Sequence, residues 1–139
     1  RSPIFPDFFA DEGRHEFVYS IYPHGGSDLL GTLREAENIN RDLLAIEGRF
    51  KIERPFIEID APTIGVMALK LAEEGSGKVL RVAELLGARG RVRIRTAFKF
   101  ARAWLCNLLE ERIEPLATDG ENVALDYEPF GIYTVMFEG

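Results

Sequence analysis

Residues 56–96 read FIEIDAPTIGVMALKLAEEGSGKVLRVAELLGARGRVRIRT. Short apolar runs alternate here with turn residues. At the far end, Val92, Ile94 and Thr96 alternate with Arg91, Arg93 and Arg95. A period of two places alternate side chains on opposite faces, so this run predicts a strand with one buried and one charged face. Phe56 to Ile59 is a first strand, closed by Asp60-Ala61-Pro62. Ile64 to Leu71 is apolar on both faces, which predicts a central strand. Glu74-Gly75-Ser76-Gly77 is a turn, Val79 to Leu86 a third strand, and Gly87 to Gly90 a second turn. Asn122 to Tyr127 and Gly131 to Phe137 are two more strands, with Glu128-Pro129 between them. Residues 98–109, FKFARAWLCNLL, fit two patterns. Phe98, Phe100, Arg102 and Trp104 suit a strand, while Phe98, Ala101, Leu105 and Leu108 suit a helical stripe. Continuity with the preceding strand favours extended structure. Several short strands with regular turns predict a mainly β chain, built as an antiparallel β-sandwich over residues 49–139.

Upstream the pattern differs. Residues 14–22 alternate, with His15, Phe17, Tyr19 and Ile21 on one face, which predicts a half-buried strand ended by Pro23 and Gly25-Gly26. Ser27 or Asp28 can cap a helix over Leu29 to Glu37, and Asn38-Ile39-Asn40 reads as its stop. Leu43 to Ile46 is a short apolar run suited to extended structure. The charged stretch EGRFKIERP, residues 47–55, marks a module boundary. Residues 1–48 therefore form one unit and 49–139 another.

A hydrophobic content of 46% with 29% charged residues suits a soluble globular chain, and no apolar run approaches a membrane span. The formal charge of −6 argues against a general nucleic-acid role, which needs a concentrated basic face. One cysteine, Cys106, excludes an internal disulfide framework and suits a reducing compartment.

Several residues invite a chemical reading. Asp11, His15 and His24 carry zinc-type donors, but the two histidines are separated by eight residues that include Pro23, which is no recognised ligand spacing. Glu110-Glu111 and Asp126-Tyr127-Glu128 are the nearest approach to catalytic carboxylate pairs. Adjacent strand residues point to opposite faces, so surface roles are expected and no residue is assigned as catalytic. Arg89, Arg91, Arg93 and Arg95, with Arg81 beside them, suit a salt-bridged docking face better than a phosphate stripe, since 23 acidic residues are available to pair with them. Trp104 with Phe98 and Phe100 suits core packing better than a sugar-stacking platform.

The ordered set of motifs resembles glycoside hydrolase family 38 α-mannosidases over nearly the whole chain. Arg1-Ser2-Pro3, Pro6-Asp7, the run Ala10-Asp11-Glu12-Gly13-Arg14-His15-Glu16-Phe17-Val18-Tyr19, and Tyr22-Pro23-His24 resemble a segment late in those enzymes. Ile59-Asp60-Ala61-Pro62, Leu69 to Gly75, Asn107 to Glu111, Glu114-Pro115-Leu116 and Pro129 to Thr134 resemble their terminal β-module. One departure is Glu84-Leu85-Leu86, where an Asn or Tyr is usual near the end of the Leu-Arg-Val strand.

The resemblance implies a β-rich piece from the interior and end of a larger enzyme. Residues 1–48 would close a large β super-sandwich and 49–139 would form a small terminal sandwich. The parent would be a retaining glycosidase, working with two carboxyl groups about 5 Å apart. Its zinc, its catalytic groups and its hydrolytic activity would lie in the catalytic domain, so this stretch would hold no cofactor and would not be an enzyme alone. Its role would be to brace the catalytic domain and shape its cleft. The partners implied are the remainder of the mannosidase chain, a mannose-containing glycan bound by the intact enzyme, and self-association through an unpaired strand edge; nucleic acid and membrane are not among them. A cytoplasmic location follows. Asp11, Arg14 and His15, at a loop-to-strand corner, are the candidates for substrate contact. Two alternatives remain beside this reading: a carbohydrate-binding sandwich and a protein-interaction sandwich pairing through an edge strand.

Overall fold

The computed structural model describes residues 5, 9, 12–41, 45–49, 51 and 53–139. The chain forms two compact units, Arg1–Ala45 and Ile46–Gly139.

In the first unit, the one regular element among the described residues is helix α1, Leu29–Asn40. Asp28 is its N-cap, its carboxylate accepting the Gly31 N–H at 2.9 Å. The Tyr22 hydroxyl donates to the same carboxylate at 3.0 Å, fastening the incoming chain. The helix runs through Asn38-Ile39-Asn40, which the sequence reading took as its stop. Asn40 donates its side-chain amide to the Ala36 carbonyl at 2.7 Å, and Arg41 pairs with Glu37 one turn back. The strand expected over 14–22 is not formed: residues 14–24 have no ladder, and 14–23 are exposed. Strand conformation needs a neighbour to accept its hydrogen bonds. Instead, Val18, Tyr19, Tyr22 and His24 line a cleft of about 320 Å³ against Thr32, Ala36 and Ile39 of α1. Of the run Leu43 to Ile46, Ala45 and Ile46 are described and are irregular; Leu43 and Leu44 lie outside the described residues.

The second unit is an antiparallel sandwich, with eight strands among the described residues. They are β1 Ile57–Ile59, β2 Ile64–Leu71, β3 Lys78–Glu84, β4 Gly90–Thr96, β5 Arg102–Cys106, β6 Arg112–Leu116, β7 Asn122–Tyr127 and β8 Ile132–Glu138. One sheet has the order β1-β4-β7, the other β2-β3-β8-β5-β6. The period-two run of β4 does what its pattern predicts. Val92, Ile94 and Thr96 are buried at 0%, 0% and 1% exposure, while the intervening arginines face outward. Val123 and Leu125 of β7 join them from one sheet; Leu80, Val82, Ala103, Val135 and Phe137 come from the other. Phe98 and Phe100 cross the end of this core, edge-on to Phe137 at centroid distances of 5.5 and 4.8 Å.

Three details differ from the expectation. Among the described residues β2 is an edge strand, not a central one: it pairs only with β3 and carries a bulge between Val66 and Ala68. Its apolar residues Met67, Leu69 and Leu71 stay exposed, although Leu69 shares a face with Leu80, its buried partner in the ladder. β3 stops at Glu84 instead of Leu86, because the Glu84 carboxylate captures the following backbone. The edge strand β6 was not read as a strand. Pro115 weakens its pattern and is tolerated because one side of the strand has no ladder. The ambiguous segment 98–109 is extended, but regular only over Arg102–Cys106.

Candidate functional site

The outward face of the three-stranded sheet is the charged surface that the β4 pattern predicts. Register places Arg95 opposite Glu58 of β1 and Arg91 opposite Asp126 of β7. Their ion pairs span 3.7 Å each, and Arg95 also reaches Glu121 at 3.8 Å. Arg89, in the preceding turn, pairs with Glu128 at 3.5 Å, and Arg54 with Glu121 at the same distance. Arg93 sits between these pairs opposite Ala124, and its guanidinium has no acidic partner among the described residues. Its backbone N–H donates to the Asp60 carboxylate at 2.7 Å. Glu58, Asp60, Arg93, Arg95, Glu121 and Asn122 line a cleft of about 420 Å³. Exposed ion pairs of this kind add little to stability. They do fix long side chains into a pattern that another surface can read. Arg81 does not belong to this face. It lies on β3 in the other sheet, bonded to the Thr134 hydroxyl at 3.2 Å and the Leu108 carbonyl at 2.9 Å.

The outer face of the five-stranded sheet is covered in part by the chain itself. Val79, Cys106 and Met136 form a second buried cluster with Ala72 and Trp104 packed on it. The loop after β5 crosses this face and is fastened at its far end. The Glu110 carboxylate accepts from the Glu73 N–H at 2.8 Å and pairs with Lys70 at 2.5 Å. These contacts pull the Glu110 carboxyl below its ordinary range, chiefly through Lys70, and raise the Lys70 ammonium. Burial raises the Cys106 thiol, as for an inert structural cysteine. The indole N–H of Trp104 donates to Glu138 at 3.0 Å, and Arg112 lies over the ring at 5.4 Å. With the buried cluster against it and a guanidinium over it, the indole has the packing role the sequence predicts.

Residues 63–135 match the profile described as the glycosyl hydrolases family 38 C-terminal beta sandwich domain. The chain belongs to glycosyl hydrolase family 38. It is similar to alpha-mannosidase G of Dictyostelium discoideum, 33% identical over 99% of this chain and 14% of that protein. It is also similar to alpha-mannosidase 2C1 of Mus musculus and of Homo sapiens, at 31% and 30% identity over 98% of this chain and 14% of each relative. This family 38 chain thus spans about one seventh of the length of these relatives.

Within this family 38 sandwich, Glu84 has a definite structural task. It is 2% exposed. Its carboxylate accepts from the backbone of Leu86 at 3.0 Å, Gly87 at 2.7 Å and Phe130 at 3.0 Å. Burial pushes this carboxyl up, but the backbone donors of Phe130, Leu86, Ala88 and Gly87 outweigh it and hold the group at about 2, down from 4.5. The carboxylate thereby joins the β3–β4 turn to the β7–β8 turn. Gly87 has φ of +80°, a conformation that strains any residue with a side chain, and a Cβ there would lie 3.1 Å from the Phe130 ring, which would have to shift. The sequence signal was present: an acid ending an apolar strand three residues before a glycine.

Of the three residues expected to touch substrate, Asp11 lies outside the described residues. Arg14 is exposed and pairs with Glu16, and His15 is exposed beside it. His24 stacks on Tyr22 at 5.4 Å, with its Nε2 3.4 Å from the Thr32 hydroxyl, which is the structural packing expected of it. Among the described residues, no three His, Cys, Asp or Glu side chains gather to hold a metal ion. Among the described residues, no helix is long and apolar enough to cross a membrane.

Proposed function

We propose that this chain is a non-catalytic supporting part of a retaining α-mannosidase, which braces the catalytic domain and shapes one wall of its cleft. One observation carries the reading. α-Mannosidases match it from end to end, yet it corresponds to only 14% of each. A piece of that size in a family 38 enzyme is an accessory module, and the remainder of the chain is its natural partner. The intact enzyme then acts on a mannose-containing glycan, with zinc held in the catalytic part. Support for docking comes from the β4 face, where Arg91 and Arg95 are held by acids and Arg93 is left to meet one from outside. Support for a structural role comes from the carboxylates. Glu110 is bound to Lys70 and the Glu73 N–H, Asp126 to Arg91 and Glu128 to Arg89, which suits none of them to attack a sugar or shuttle a proton. Residues 15–21, alternating but without a ladder, suit a strand completed by the larger β-domain upstream. A cytoplasmic setting agrees with a buried cysteine that has no second cysteine to pair with.

The test is hydrolysis of p-nitrophenyl α-mannoside by this chain, by the separately expressed upstream portion, and by the two mixed. Activity that needs the mixture supports the proposal. Turnover by this chain alone refutes it, and so does full activity of the upstream portion alone.

A further inference from the structure

The loop joining β5 to β6, residues 107–111, is built more firmly than a connector requires. The Asn107 side-chain oxygen accepts the N–H groups of Leu109 at 2.9 Å and Glu111 at 3.0 Å. The Leu108 carbonyl is held by Arg81, and Glu110 is anchored to Lys70 and the Glu73 N–H. Glu110 has φ of +69°, a left-handed conformation that a side-chain-bearing residue adopts only when its surroundings enforce it. All this order ends in two leucines pointing to water. Leu108 is 59% exposed and Leu109 79%. A single surface leucine is ordinary. Two adjacent ones, at the apex of a loop fastened by Asn107, Arg81 and Lys70, are not accounted for by the packing of the sandwich. Around Leu109 lies a cleft of about 460 Å³ whose rim holds Glu73, Glu74, Glu110, Glu111 and Arg112. Carboxylates outnumber cations there even when Lys70 is counted.

We propose that loop 107–111 is a preorganised docking knob, by which Leu108 and Leu109 enter an apolar pocket rimmed by basic residues on another part of the same α-mannosidase chain. The inference rests on the accessory role proposed above and adds the contact that performs it. A rigid apolar anchor pays little ordering entropy on docking, and its acidic collar selects a basic rim. The occupant is the rest of the chain because the relatives carry about six sevenths of their length outside this module.

The experiment is hydroxyl-radical footprinting of the full-length α-mannosidase. The labelling rates of Leu108 and Leu109 are compared with those in the guanidinium-unfolded enzyme, over a range of protein concentrations. Protection of roughly tenfold or more, the scale of a desolvated anchor, and independent of concentration, is the expected result. Rates near the unfolded ones overturn the knob. Protection that fades on dilution also overturns it, by assigning the loop to a second copy. A second measurement uses Leu109→Asp and Leu109→Met in the full-length enzyme. The charged variant should expose Leu108 to labelling and the apolar one should not; equal labelling in both overturns the proposal. An open knob in an enzyme that still needs this module for activity would sink the knob and leave the accessory role standing.

Discussion

Replacing Phe137 by alanine tests the core directly. Phe137 is 2% exposed at the end of β8 and receives both Phe98 and Phe100 edge-on. Deleting a buried Phe side chain typically costs about 3–5 kcal/mol, the transfer of the ring plus the cavity it leaves. Relaxation is poor here. The rings of Phe98 and Phe100 have lost their partner, and Ala103, opposite Phe137 in the ladder, is too small to fill the space. About 4 kcal/mol is therefore expected, against a total near 5–15 kcal/mol for a domain. For a unit of this size that corresponds to a fall of about 15–30 °C in Tm. The single tryptophan, Trp104, neighbours Met136 in the same sheet and reports unfolding by its fluorescence in urea titrations. The expected result is a lower midpoint with an unchanged slope, and a loss below about 1.5 kcal/mol for Phe137→Leu, which keeps most of the volume. A Phe137→Ala protein within about 1 kcal/mol of the parent would refute the placement of this ring at the centre of the sandwich.

Three further outcomes follow from the polar groups. The Glu84 carboxyl titrates at about 2 in the folded chain against 4.5 ordinarily, so it favours folding fully above about pH 4.5 and loses that contribution as pH falls toward 2. Glu84→Gln should lower Tm at pH 7 and flatten its decline between those pH values; an unchanged pH profile would contradict the role given to this carboxylate. Glu110→Gln should loosen loop 107–111 and raise the rate at which Cys106 reacts with a thiol reagent, whereas an unchanged rate would mean that the Lys70 and Glu73 contacts do not hold the loop. Trp104→Ala should destabilise the sandwich without creating or abolishing retention on mannose resin; retention of the parent chain that is lost in the variant would revive the carbohydrate-binding alternative.

Much of the sandwich was legible in the residues. The alternation Val92, Ile94, Thr96 against Arg91, Arg93, Arg95 is a local record of which side faces the core, and the turn at Glu74 to Gly77 needs no distant information. β2 shows the limit. A mostly apolar run does not record whether a neighbour lies on each side, and here one side is open among the described residues. The candidate site divides in the same way. The arginine face is written in β4, but Arg81, read beside it, belongs to the opposite sheet, because strand order is not a local property. Loop 107–111 carries no periodic signal, and its form depends on Lys70 and Arg81, distant in sequence.

Sequence alone determined the fold class, the inward face of β4, the existence of β7 and β8 as strands, the N-cap region of α1 and the family resemblance. These rest on side-chain period, turn chemistry and motif order, which are properties of neighbouring residues. Only the tertiary structure decided that β2 and β6 are edges, that Glu84 joins two turns, that Arg112 covers Trp104, and that 14–22 stays without a ladder. Each of these depends on a partner supplied, or not supplied, by a remote part of the chain. Hydrogen bonds and ion pairs across such distances form only after the strands are in place, so nothing near the residue in sequence announces them.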